Sequence, residues 1–227
     1  MTDVKALYQV RGNIRTYFAA AGQDLQPMLS DGGAQIMVQG LPERAELVKL
    51  GASWGAAIPT ASAFTYVAAW PTTRSELILF NGETAGGPTY VVDRAWMSDI
   101  TTGATGGRAL LAQLVPSPNV AGVTGTIGTS ATVLIHQLSG RAINYGGNAK
   151  LHLADTLLPA LANQWFPLGT IPSVGGVTTI GTTVEANLYG RLLVPPGAAL
   201  CLAGVAGAAS GTAILGVDWH EVLMNLG

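Results

Sequence analysis

Charge is what this chain has least of. Among its 227 residues, Lys and Arg supply 11 and Asp and Glu 13. Ionic side chains therefore make up 11% of the sequence, against about 25% in an ordinary soluble domain. A net charge of −2 offers no basic field to a phosphate backbone, which argues against nucleic-acid binding. Cysteine is scarcer still. Cys201 stands alone, which excludes an internal disulfide and a Cys-rich zinc site. Flanked by Leu200 and Leu202, it reads as a small core residue with an inert thiol. Lysine is limited to Lys5, Lys49 and Lys150, so positive charge rests on Arg11, Arg15, Arg44, Arg74, Arg94, Arg108, Arg141 and Arg191. Arg is weakly hydrated and forks onto carboxylates, whereas Lys is depleted where surfaces meet partners, so this bias points to a subunit of an assembly.

Signatures of chemistry are sparse as well. His136, His152 and His220 are far apart and lack the spacing of a metal-binding pair, so they read as structural or surface imidazoles. The stretch Thr102-Gly103-Ala104-Thr105-Gly106-Gly107-Arg108 is glycine-rich but lacks the Lys-Ser/Thr ending of a phosphate loop, and it reads as a flexible connection. Gly128-Thr129-Ser130 lies in a Gly/Thr-rich loop and forms no nucleophile elbow. Acid pairs for glycoside cleavage can be drawn among Asp93, Asp99, Asp155, Glu185, Asp218 and Glu221, but spacing in sequence does not rank them. No catalytic residue, cofactor or metal site is expected, and the chain is not read as an enzyme. Trp54, Trp70, Trp96, Trp165 and Trp219 are scattered, as core anchors and interface hot spots are. Exposed Trp platforms of a glycan-binding module are the rival reading.

What is present in quantity is apolar and small: 48% hydrophobic residues and 30 Gly, with a positive mean hydropathy. Residues 197–217 carry no charge over a length that would span a bilayer as a helix. Gly, Ala, Ser and Thr dominate there, with turn residues in the middle, so two strands and a hairpin are the better reading. The opening Met1-Thr2-Asp3-Val4-Lys5 has an acid and no apolar block after it, unlike a secretory signal.

From about Ala52 onward, short β-rich runs alternate with Gly, Pro, Asn, Ser and Thr clusters. Strands are expected at 63–69, 75–81, 89–97, 108–115, 131–138, 149–153, 164–171, 182–194, 198–203 and 212–223. Many short strands without intervening amphipathic helices predict an all-β antiparallel sandwich or barrel. Glu76–Asn81 hardly alternates, which implies burial on both faces; Val217–Val222 has a mixed, edge-like pattern. Residues 1–50 read as an N-terminal arm, with an apolar run compatible with a strand at 34–39, and 51–227 as the sandwich. Sandwich edges need protection, and with so few charges to spend, neighbouring subunits are the expected cover. A homo-oligomer of closed symmetry follows.

Three strings carry a resemblance: Pro71-Thr72-Thr73-Arg74-Ser75-Glu76-Leu77-Ile78-Leu79-Phe80-Asn81-Gly82, then Gly87-Pro88-Thr89-Tyr90-Val91-Val92-Asp93-Arg94-Ala95, and the closing Val217-Asp218-Trp219-His220-Glu221-Val222. They resemble structural proteins of tailed bacteriophage particles that carry jelly-roll domains. The resemblance implies a jelly-roll-like sandwich in a virion, as a capsid decoration or cement protein, trimeric by preference and seated on the major capsid protein or other virion proteins. A tail or head-to-tail component, or a glycan-binding host-attachment module, is the alternative. Neither nucleic acid nor membrane is expected as a partner. The arm would dock through Tyr8, Arg11, Arg15, Tyr17 and Phe18, the Arg and aromatic types that anchor interfaces.

Overall fold

The computed structural model describes residues 47–48, 51–71, 75–101, 106–116, 135–138, 147–155, 165–172, 181–208 and 211–224. All of them fall within one compact unit, Glu43–Gly227. The expected docking residues Tyr8, Arg11, Arg15, Tyr17 and Phe18, and the strand expected at 34–39, lie outside the described residues.

Eleven strands occur among the described residues: β1 (Ser53–Ala57), β2 (Phe64–Thr65), β3 (Ser75–Asn81), β4 (Thr89–Asp99), β5 (Arg108–Val115), β6 (Ile135–Gln137), β7 (Ala149–Asp155), β8 (Phe166–Ile171), β9 (Thr183–Val194), β10 (Ala199–Ala206) and β11 (Thr212–Val222). They form two antiparallel sheets packed face to face. The first has the order β6-β1-β11-β4-β9, with β2 also paired to β11, and the second has β7-β3-β10-β5-β8.

The pairings β1·β11, β3·β10, β4·β9 and β5·β8 lay one half of the chain antiparallel against the other. Successive rungs of this long ribbon alternate between the two sheets. When the ribbon is wrapped, β11 also meets β4 and β10 also meets β5. This is jelly-roll connectivity, two Greek keys closed into a sandwich. The segment between β5 and β8 contributes β6 and β7, which add one strand to each sheet beside β1 and β3.

The sequence periodicity explains which faces meet. Along β9, Val184, Ala186 and Leu188 are buried in the shared core while Thr183, Glu185 and Asn187 face outward, the period-2 pattern of a half-covered strand. Leu77, Leu79, Leu110, Leu200, Leu202, Leu215 and Val217 fill the same core. Each such side chain contributes about 1.5–3 kcal/mol on burial. The second sheet is buried on its outer side too, where Ile78, Leu111, Val115, Trp165, Cys201 and Ala203 form a second cluster. Every residue of β10 is therefore buried, which is why the uncharged run reads like a membrane span. It folds instead as β10, a turn and β11, and no described helix is long and apolar enough to cross a bilayer.

Two expectations need correction. Val217–Val222 is no edge: β11 lies between β1 and β4, and its pattern is mixed because a bulge between Asp218 and Trp219 shifts the register. The strand expected at 63–69 shrinks to Phe64–Thr65 because the chain changes sheets there. The N–H of Tyr66 still bonds the carbonyl of Gly211, but Val67 already bridges Val205 of β10.

That crossing is tied down by a buried ionic group. Asp99 ends β4 and Arg108 begins β5, at the two feet of the loop joining the sheets. Arg108 Nη1 lies 2.7 Å from Asp99 Oδ2, both side chains being 1% exposed. The Tyr66 hydroxyl donates to Asp99 Oδ1 at 2.5 Å, and the guanidinium sits 5.8 Å from the Tyr66 ring centroid. Burial first, then the hydrogen bond and the charge of Asp99, push the Tyr66 phenol well above its ordinary range, with Arg108 opposing. Tyr66 is thus a neutral donor, and the carboxylate has both a cation and a hydroxyl to offset the cost of leaving water.

Candidate functional site

The outer face of the first sheet holds the densest group of chemically able side chains among the described residues. Its layout begins with the backbone. Pairing between β4 and β11 passes from Arg94↔Asp218 to Val92↔Trp219, and pairing between β4 and β9 passes from Arg94↔Asn187 to Val92↔Leu192. Asp93 is an extra residue against β11, and on β9 the four residues from Leu188 to Arg191 oppose it. Bulges of this kind re-aim side chains and gather near functional sites. Tyr189, at the apex, has φ of 48° and is 68% exposed. A left-handed backbone costs an L-residue about 1–2 kcal/mol, so the surrounding sheet maintains strain at this point.

Cross-strand rows then set the neighbours. In one row Glu185, Trp96 and Gly216 stand side by side on β9, β4 and β11. The Trp96 indole lies against Gly216, where an added Cβ would come within 2.6 Å of three indole ring atoms. The next row holds Asn187, Arg94, Asp218 and Gly55. Arg94 grips Asp218 with Nε at 2.7 Å and Nη2 at 2.6 Å, while its Nη1 is 3.8 Å from Glu185. Asp218 leans over Gly55, whose missing side chain leaves room for Oδ1. Beyond the bulge, His220 Nδ1 is 2.8 Å from Asp93 Oδ2.

The electrostatics of this face are acid-rich. Burial pushes the Asp218 carboxyl above its ordinary 3.8, and the charges of Asp93 and Glu185 add to the rise; Arg94 opposes it by charge and hydrogen bond. Among the described residues, Asp218 and Glu185 meet the Arg94 guanidinium and Asp93 meets the His220 imidazole. Of the six acids from which a pair could be drawn, the fold brings Asp93, Glu185 and Asp218 to this face and buries Asp99 elsewhere. The three histidines do not converge: His136 and His220 belong to the first sheet and His152 to the second. Cys201 is fully buried, and its thiol is pushed up to about 12 by desolvation.

A Ser spacing that the sequence reading passed over appears in the same place. Gly51-Ala52-Ser53-Trp54-Gly55 has the form of a nucleophile-elbow motif, and Ser53 is the cross-strand partner of His220, which is itself bonded to Asp93. The order Ser53, His220, Asp93 is that of a hydrolase triad. Its setting is not. Ser53 opens a paired β-strand rather than a strand-to-helix turn, is 3% exposed, and no hydrogen bond joins its Oγ to His220 among the described residues. A nucleophile must be both reachable and activated, so the row reads as a positioned His–Asp pair.

A second feature lies at the sheet crossing. An apolar recess of about 420 Å³ is lined by Ala68, Trp70, Ile171, Pro172, Val205 and Ala206, among others. Trp70 at its rim is 55% exposed and nearby Val67 43% exposed. Trp54, Trp165 and Trp219 are by contrast core residues.

The signal for the polar face was in the text of the chain. Asp93-Arg94 and Asp218 followed by Trp219-His220 interrupt otherwise regular alternation, as a bulge does. No known protein family, curated protein or solved structure matches this chain.

Proposed function

We propose that this chain is a structural subunit of a bacteriophage particle, a capsid decoration or cement protein that stabilises the shell through subunit contacts. The observation that carries the reading is how the surface is divided. Among the described residues, ionic groups are spent on one another in Arg94–Asp218, Arg94–Glu185, Arg108–Asp99 and His220–Asp93. Meanwhile Val67, Trp70, Leu138, Tyr189 and Leu223 stay exposed, and the Trp70 recess has the size and lining to receive an apolar side chain of a neighbour. Aromatic residues at a rim with little charge around them are the composition of interfaces. The phage-like strings of the sequence support the particle in question, and they run through β3, β4 and β11, strands that build both sheets.

The test is assembly. The full chain should sediment as a closed oligomer, a trimer by preference, and adding it to shells that lack it should raise their melting temperature. Trp70→Ser should weaken both effects without unfolding the protomer. A monomer at micromolar concentration that neither binds shells nor is found by electron microscopy in purified particles would remove the proposal.

A further inference from the structure

We propose that the outer face formed by β4, β9 and β11 is a binding site for a neutral saccharide, with Trp96 as the stacking platform and Glu185, Arg94 and Asp218 as partners for sugar hydroxyls. The site is distinct from the Trp70 recess and stands whether or not the chain belongs to a particle.

The platform is built by a sequence choice. With Gly216 opposite it, the Nε1–Cε2–Cζ2 side of the Trp96 indole rests over the neighbouring strand, and the residue remains half-buried rather than buried. An aromatic face of this kind suits the apolar C–H side of a pyranose, the amphipathic use of Trp.

Around the ring stand groups fixed in advance. Glu185 is directly beside Trp96 on β9, and Arg94 is the next outward residue along β4. Their side chains are 44% and 40% exposed, so a ligand can reach them, yet both are already oriented. Asn187 Nδ2 bonds Glu185 Oε1 at 3.3 Å and Arg94 is held by Asp218. Carboxylates accept from vicinal hydroxyls and a guanidinium donates to ring or hydroxyl oxygens, and charge-assisted bonds of this type are the strong ones. Pre-ordering reduces the entropy lost on binding. The bulge that lifts Tyr189 beside this face adds an exposed aromatic at its border.

Charge decides which saccharide. Beside the Trp96 ring Glu185 and Asp218 outnumber Arg94, so uronic, sialylated or sulphated sugars and nucleic-acid phosphates meet repulsion, while neutral hydroxyl-rich ligands meet acceptors. A chain with only 24 ionic residues in 227 places Arg94, Glu185 and Asp218 together beside this ring.

The experiment applies the full chain to a printed array of bacterial surface saccharides, with neutral, sialylated and sulphated members. Titration of tryptophan fluorescence with a neutral oligosaccharide retained on the array follows. Trp96→Ala and Glu185→Gln should each weaken binding at least about tenfold, a loss of about 1.4 kcal/mol, and Trp96→Phe should restore part of it. Thermal unfolding of each variant establishes that the sandwich is intact, and Glu185→Gln on the exposed side of β9 serves should Trp96→Ala fail to fold. No retained saccharide, a preference for anionic members, or affinity indifferent to both positions would overturn the proposal. None of these results bears on the assembly test.

Discussion

Removing one member of the Asp99–Arg108 pair should be among the costliest single changes in this molecule. Both side chains are 1% exposed and 2.7 Å apart, so Asp99→Leu takes from the Arg108 guanidinium the carboxylate it pairs with, and Arg108→Met takes the cation from Asp99, with almost no water to replace either. Breaking a buried pair from one side costs about 3–5 kcal/mol. For a unit of this size that corresponds to a fall in melting temperature of roughly 6–20 °C. The double variant Asp99→Leu/Arg108→Met removes both charges and refills the space with apolar atoms, an exchange that is often neutral. The cycle should therefore show a coupling of at least about 2 kcal/mol. Tyr66→Phe, which loses only the hydroxyl bonded to Asp99, should cost about 1.5–3 kcal/mol. Urea unfolding followed by circular dichroism and fluorescence, with coincident transitions, measures all four. If either single charge variant lies within about 1 kcal/mol of the parent, or if the double equals the sum of the singles, the pair does not hold the two sheets together in the way described.

Three further outcomes are expected. With its thiol pushed up to about 12 and fully buried, Cys201 should not react with a disulfide reagent at pH 8 in the native protein and should react at once in denaturant; rapid native labelling would contradict its place under the second sheet. The raised pKa of Asp218 means that its contribution to stability is complete below 3.8 and is lost as pH rises through the folded value. Asp218→Asn should abolish that loss, so unfolding free energy, variant minus parent, should climb with pH from 3.8 upward, and a decline would show that Arg94 outweighs burial. Tyr189→Gly, at φ of 48°, should be more stable than Tyr189→Ala by up to about 1 kcal/mol in urea unfolding, since both lose the tyrosine side chain and only glycine enters the left-handed region without a Cβ clash; equal stability would contradict the strain at the bulge.

The sandwich was largely legible in the sequence, and the reasons are visible strand by strand. Ser75–Asn81 and Arg108–Val115 are apolar runs bounded by turn residues, and their observed limits coincide with the expected ones. Ser53–Ala57 was not recognised as a strand because Ser-Trp-Gly-Ala-Ala has little β-branched or aromatic content. It pairs because β11 and β6 flank it, a tertiary effect that overrides propensity. The polar face was harder to read. Arg94 and Asp218 are 124 residues apart, and only the register of three bulged strands brings them and Glu185 together. Phage-like strings and scarce charge suggested an assembly, but neither could say that Trp96 would lie over Gly216, since that depends on which glycine the wrapped ribbon sets opposite it.

The ribbon also imposes an order of events on the cell. Because β1 is matched to β11 and β3 to β10, strands made early have to wait for partners made last. A ribosome releases apolar β3 long before anything exists to zip against it. Such distant pairings fold slowly and leave sticky intermediates, so yield in a host should depend on temperature and chaperone supply more than on the final stability of the finished protein.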